Sequence, residues 1–362
     1  MKEIREILKE VEKLPAGEKS VLATVVDLKG SGYRLPGARM LIKANGDAVG
    51  TVSGGCLEAD VLERAKRVIA TGIAEVITYD TTADENSVFS LNMGCRGVLR
   101  ILLEAVDKTS EIITALQRSY DSRKRIECAV AIGFQGETHI NIGKRFFAED
   151  ITNENALPGM IDDLETFADS ASNYQTIKYE IDDGFVEFAF ELIRPPVQLY
   201  ILGAGADAVP LADAGDALGW RVNVCDHRPA FLTEERFPKC DALVSLDRDA
   251  KPEWDVDELT AFVLMNHNYD RDKAMLSGAL NSKAFYVGAL GPKKRTEQML
   301  AEIGEHFSAE QISRLRSPAG LDIGGDTPES IAVSISAEIQ SVLKHRSGGP
   351  LRDRNAPIYD RK

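Results

Sequence analysis

Leu199-Tyr200-Ile201-Leu202-Gly203-Ala204-Gly205-Ala206-Asp207-Ala208 decides how the second half of this 362-residue chain folds. An apolar run ends in glycine-x-glycine-x-x-alanine and passes directly into a helix-forming segment. Gly203 permits a tight strand-to-helix turn, Gly205 lets backbone approach a phosphate, and Ala208 allows close helix packing. About 23 positions beyond Gly203, Asp226 ends the next apolar run, where an acidic side chain can meet ribose hydroxyls. The surrounding pattern agrees. Gln198–Leu202, Arg221–Cys225, Ala242–Leu246, Ala261–Met265 and Ala284–Ala289 read as strands rich in Val, Ile and Leu with little alternation. Asp207–Leu218, Arg271–Leu280, Lys293–Ile303 and Glu329–Leu343 read as the helices between and after them. Such a sequence predicts an α/β fold with a Rossmann-like parallel sheet covered on both faces. NAD is one ligand such a domain accepts; a tight turn without a ligand explains the glycines equally.

Other signals in this half fall where parallel strands end. In Asp226-His227-Arg228-Pro229 the aspartate favours a free 2′-hydroxyl. Arg228 is placed either to stack on a ring or meet a phosphate, or to pair with Asp226. Val287-Gly288-Ala289-Leu290-Gly291-Pro292-Lys293-Lys294-Arg295 is a second anion-competent turn, with Gly288, Gly291 and Lys293 as candidate contacts. His267 follows a strand and is a candidate proton carrier or a loop hydrogen-bonder. Asp322 lies in the glycine-containing loop before Thr327-Pro328, which reads as N-cap and first helical residue.

Arg194-Pro195-Pro196 marks a boundary, because two prolines discourage helix continuation. Upstream, Met1–Lys13 is helical by its apolar spacing, Val21–Leu28 is a strand, and Asn45-Gly46 turns a hairpin. The second glycine-rich signal is Ser53-Gly54-Gly55-Cys56-Leu57-Glu58. It sets a thiol at a helix N-terminus, which favours thiolates and bound anions. Gly54, Gly55 and Cys56 are therefore candidate ligand contacts. Cys95, in Gly94-Cys95-Arg96-Gly97, is a secondary candidate in a similar frame. Signals weaken over residues 107–192, where 149–174 reads as a polar insertion. The expected domains are 1–110, a middle segment 111–194 completing the first domain, a Rossmann-like domain at 195–345 and a loose tail at 346–362.

A net charge of −14 argues against gripping nucleic acid or anionic membranes. The charged N-terminus has no secretory h-region, and no apolar run approaches a membrane span. Five cysteines, an odd number with no CxxC spacing, read as reduced thiols of a cytoplasmic protein. The five histidines form no HxH or HExxH motif, so no protein-only metal site is expected.

Ser53–Glu58, Gly203-Ala204-Gly205, Asp226-His227-Arg228, Gly288-Ala289-Leu290-Gly291, Gly320-Leu321-Asp322-Ile323-Gly324 and Thr327-Pro328-Glu329-Ser330-Ile331-Ala332 occur together and in this order. In that combination the chain resembles the XdhC/CoxI family of xanthine dehydrogenase accessory factors, from roughly residue 10 to 345, least in its middle segment. The resemblance implies an N-terminal α/β XdhC/CoxI domain and a C-terminal Rossmann domain. It implies a cofactor chaperone rather than a turnover enzyme. Such a protein binds molybdenum cofactor transiently, supports its sulfuration with a cysteine desulfurase, and hands it to the apo-enzyme of a molybdenum hydroxylase. Cys56 then becomes the candidate sulfur-handling residue and contact to the molybdenum cofactor. The family often has two glycines after its second cysteine, whereas Cys95 is followed by Arg96-Gly97. A homodimer fits a chaperone of this size. The alternative is an NAD-dependent oxidoreductase or NAD-binding protein using the C-terminal domain, with His267 as its acid/base residue.

Overall fold

The structure, a computed structural model, describes residues 2–80, 97–152, 154–170, 172–248, 250, 252–304, 306–356 and 358. The chain divides into two compact units, Glu3–Pro195 and Pro196–Asp360, within the Arg194-Pro195-Pro196 sequence.

The first unit is built around Ser20–Gly30 (β1), which is buried on both faces over its first seven residues. Alternate residues therefore serve different cores. Val21, Ala23 and Val25 pack with Val61, Ala65 and Val68 of the helix Glu58–Thr71 (α2). On the opposite face, Leu22 joins Ile4, Ile7, Leu8 and Val11, the apolar stripe of Lys2–Glu12 (α1). The other strands of this antiparallel sheet are Arg39–Ile42 (β2), Ala48–Gly50 (β3), Glu75–Asp80 (β4) and Gly97–Val106 (β5), in the order β3-β2-β1-β5-β4. The β2–β3 hairpin turns at Gly46, whose φ of +91° glycine adopts without cost.

After Glu111–Ser122 (α3) comes a second antiparallel sheet. Its strands are Ile126–Gln135 (β6), Arg145–Phe147 (β7), Tyr174–Ile181 (β8) and Gly184–Ile193 (β9), ordered β7-β6-β9-β8. Met160–Ala168 (α4) covers it, setting Met160, Leu164 and Phe167 against Phe188 and Phe190. The polar insertion expected at 149–174 thus contains a short amphipathic helix, with apolar residues four and three apart. Three arginine–glutamate pairs bind the two sheets together. Arg39 on β2 meets Glu191 on β9 (2.5 Å), Arg145 on β7 meets Glu104 on β5 (2.6 Å), and Arg100 on β5 meets Glu187 on β9 (2.8 Å). The first two are buried and bidentate or doubly bonded, which satisfies the charges that burial would otherwise penalise.

The second unit holds a six-stranded parallel sheet. Its strands are Gln198–Leu202 (β10), Arg221–Asp226 (β11), Ala242–Ser245 (β12), Thr260–Leu264 (β13), Tyr286–Ala289 (β14) and Leu315–Arg316 (β15). The order β12-β11-β10-β13-β14-β15 is that of a Rossmann fold, numbered from β10. Ala208–Ala217 (α5) and Pro328–Leu343 (α9) cover one face, burying Leu211, Ile335 and Ile339 against Leu199 and Ile201. Tyr269–Asn281 (α6) and Lys293–Ile303 (α7) cover the other, burying Met275, Leu276 and Met299 against Phe262 and Leu264. A short helix, Ala309–Ser313 (α8), precedes β15. Beyond α9 the chain makes a single 3-10 turn at Leu351–Asp353 among the described residues.

Candidate functional site

The Ser53–Glu58 turn enters α2, but the amides of Ser53, Gly54, Gly55 and Leu57 are already engaged. Glu58, the first residue of α2, folds back so that Oε1 accepts from Thr51 Oγ1 (2.5 Å) and from the amides of Ser53 (2.9 Å) and Gly54 (3.2 Å). Its Oε2 accepts from the amides of Gly55 (2.8 Å) and Leu57 (3.2 Å) and from the Ser53 hydroxyl. Partial burial works against the charge, yet the Ser53 and Thr51 hydroxyls and the Ser53 amide outweigh it and hold the carboxyl down to about 2. The ring closes only because Gly54 and Gly55 take φ values of +85° and +115°. A Cβ at Gly54 would also land on the ring of Tyr33, which is itself 67% exposed.

Cys56 stands exposed on this ring. Among the described cysteines it differs from the others. Cys128 and Cys225 are buried, and burial pushes the thiols of Cys128, Cys225 and Cys240 up to about 12. Those three behave as packing residues. Cys95 lies outside the described residues.

In the second unit, the predicted residues gather at the carboxyl ends of the parallel strands, where such sheets bind ligands. The order reverses between β10 and β13, and both loops there contribute. Gly203 has φ +122°, and a Cβ on it would approach the Met265 carbonyl to 2.5 Å. Gly205 faces His267, which leaves ordinary contact distance of 3.6 Å for a Cβ. His267 takes a left-handed φ of +53° and places Nε2 2.9 Å from Oδ2 of Asp207, the N-cap of α5. This His–Asp pair spans the switch point. Asp226, at the end of β11, accepts from the Ala204 amide (2.7 Å) and from Arg228, with which it pairs. These contacts hold the Asp226 carboxyl far below the usual carboxylate range despite its burial.

The remaining candidates lie along the same sheet edge. Gly288 sits within β14 against the Tyr286 ring and Ala319. Gly291 turns the chain at φ +108°, Pro292 is the N-cap of α7, and Lys293 is exposed, 3.8 Å from Glu297. Arg295 donates to Asp272 (2.7 Å), and Asp272 accepts from Asn266 (2.9 Å), which ties the Gly291 turn to the loop after β13. Asp322 is exposed in the loop after β15, ahead of a capping box at Thr327. Among the described residues, no cluster of three or more His, Cys, Asp or Glu is placed to hold a metal, and no helix is long and apolar enough to cross a membrane.

The places of Glu58 and Asp207 in these turns, and the stacking of Arg228 and Arg236 on Phe231, carry no local sequence signal. Glu58 was visible within its motif, but an acidic residue in a first helical turn ordinarily signals only dipole compensation. A cavity of about 640 Å³ also lies beside β7, lined by His139, Lys144, Phe146 and Glu154 among others, and includes none of the predicted residues.

The fold and these turns define a two-domain α/β protein: an antiparallel unit presenting a thiol on a glycine turn, followed by a Rossmann domain. Residues 14–80 match the XdhC and CoxI family, and residues 199–339 match the XdhC Rossmann domain. The chain is 31% identical to a probable xanthine dehydrogenase component of Bacillus subtilis, over 90% of this chain and 94% of that protein. It is 26% identical to the molybdenum cofactor insertion chaperone PaoD of Escherichia coli, over 93% of this chain and 87% of that one. The crystal structure of a xanthine dehydrogenase from Bacillus halodurans aligns with a TM-score of 0.72 at 27% identity, covering 96% of this chain and 97% of that one. The chain belongs to the XdhC/CoxI family.

Proposed function

We propose that this protein is a maturation factor for a molybdenum hydroxylase of the xanthine dehydrogenase type. It binds molybdenum cofactor as cargo, supports its sulfuration together with a cysteine desulfurase that draws the sulfur from free cysteine, and delivers it to the apo-enzyme. It works in the cytoplasm as a homodimer. The observation that carries this reading is the exposed Cys56 thiol on a turn locked by Glu58. A soft sulfur donor suits molybdenum and sulfur chemistry, and a rigid turn presents it without an ordering cost on binding. The names of the relatives, a xanthine dehydrogenase component and a molybdenum cofactor insertion chaperone, support the same cargo. Within the second unit by itself, the Gly203–Asp207 turn is a separate candidate anion site, because Asp207 makes no side-chain cap on α5. Cys56, Gly54 and Gly55 are the molybdenum cofactor contacts, all in the first unit; Gly203, Gly205 and Arg228 are the candidate ligand contacts of the second unit, taken by itself. Gly291, Lys293 and Asp322 flank the latter.

The reading is tested by adding the protein with molybdenum cofactor, a cysteine desulfurase and cysteine to an apo-molybdenum hydroxylase. Activation of the hydroxylase above the level without this protein is expected, and loss of that increment in Cys56→Ala. No activation by the wild-type protein would refute it. The alternative, an NAD-dependent oxidoreductase, draws on the Rossmann strand order. Against it, both Asp226 oxygens are engaged and His267 is paired with Asp207.

A further inference from the structure

In dinucleotide-binding folds the acidic residue ending the second strand accepts the hydroxyls of a ribose. Asp226 holds that position, with its side chain fully buried. Its Oδ1 accepts from the Arg228 amide (2.9 Å) and Arg228 Nε (3.0 Å), and lies 3.1 Å from His227 Nδ1. Its Oδ2 accepts from the Ala204 amide (2.7 Å) and Arg228 Nη2 (2.8 Å). A carboxylate offers about four acceptor positions, so none is left for a ribose diol.

What this strand end presents instead is cationic. The Arg228 side chain is 40% exposed, and its guanidinium stacks on Phe231 with Cζ 4.2 Å from the ring centroid. Arg236 lies 4.9 Å from the same ring. It also donates to the carbonyls of Phe231 (3.1 Å) and Gly205 (3.3 Å), which ties the stack to the glycine turn. Planar guanidinium groups fixed in this way suit phosphate oxygens, and each retains donors beyond those used here.

We infer that Arg228 sets the specificity of the Rossmann crevice, masking Asp226 from a free ribose diol and offering a guanidinium to a phosphate monoester on the ligand. This rests on the crevice being a ligand site, as the proposed function has it, but not on Cys56 or on molybdenum. NAD and NADP differ by a single 2′-phosphate and so serve as paired probes of the full-length protein in calorimetric titrations. NADP is expected to bind at least about tenfold more tightly than NAD. In Arg228→Ala, Asp226 is unmasked, and the preference should fall to parity or reverse, with NAD binding strengthened. Arg228→Lys should keep a reduced preference for NADP. Equal affinities, tighter binding of NAD, or no binding of either to the wild-type protein would overturn the inference, whatever the variants do. An unchanged ratio in a folded Arg228→Ala protein would overturn it too. If the NADP preference holds while apo-hydroxylase activation fails, the proposed function falls and this inference stands; the reverse outcome separates them equally.

Discussion

Two glycine turns lead into helices in this protein, and each closes on a carboxylate from a different source. At Ser53–Glu58 the carboxylate belongs to the helix's own first residue and gathers the amides of the turn into a ring. At Gly203–Asp207 it comes from the neighbouring strand, takes the Ala204 amide, and is itself covered by Arg228. The local closure leaves a turn that is complete without an anion and displays a thiol. The long-range closure leaves the start of α5 without a side-chain cap, beside a cationic stack. Similar glycine patterns thus close in two different ways, one displaying an exposed thiol and one leaving an uncapped helix start, and the position of the acidic residue decides which.

The sharpest way to break this contrast is at the glycines of the second turn. Gly203→Ala should destabilise the Rossmann domain by about 3 kcal/mol in denaturant unfolding, because a positive φ and a backbone clash act together. Gly205→Ala meets only the His267 ring at ordinary contact distance and should shift stability by less than about 1 kcal/mol. At the first turn, Glu58→Ala leaves several amides and two hydroxyls without their acceptor. A loss of about 2 kcal/mol is expected in unfolding of the first unit, where a loss below about 0.5 kcal/mol would mean the ring is not held by Glu58. The same residue sets a pH signature. Its carboxyl is lowered from 4.5 to about 2 in the fold, so its stabilisation is present above the unfolded value and lost as pH falls through that interval. Unfolding measured from pH 5 down to pH 2 should show this decline in the wild type and a shallower one in Glu58→Gln. The smallest effect on stability belongs to Cys56→Ser, within about 0.5 kcal/mol, since the side chain is exposed. That variant should nevertheless lose a fast-reacting thiol in native-state labelling, and equal labelling of the two proteins would deny Cys56 its exposure.

How far the sequence could be read follows from the kind of burial. The strands β10, β11 and β13 are largely buried on both faces, so apolar residues fill most of β10 and β13 and the Val222, Val224 and Cys225 positions of β11, and the Rossmann domain is legible strand by strand. The two-residue β15 carries no such run, and it takes its place only by pairing with β14. In the first unit, β8 is an edge strand in which Tyr179 alone is buried, and its pattern does not stand out from a loop. The pairing of Arg39 with Glu191 joins residues 152 positions apart, a distance at which spacing says nothing about contact. The candidate residues themselves were visible because glycine, cysteine and strand-end aspartate carry local signals. Their partners were not: Arg228 reads equally as a phosphate ligand or as the partner of Asp226 until the geometry places its guanidinium on that carboxylate.

Cys56 is the proposed contact for molybdenum cofactor. The direct measurement is anaerobic gel filtration of the wild-type protein and of Cys56→Ala after mixing with released cofactor, with molybdenum and pterin assayed in the protein peak. Co-elution of both with the wild type, and a loss of about tenfold or more in the variant, is the predicted result. No cofactor with the wild type, or an undiminished amount with the variant, would contradict it.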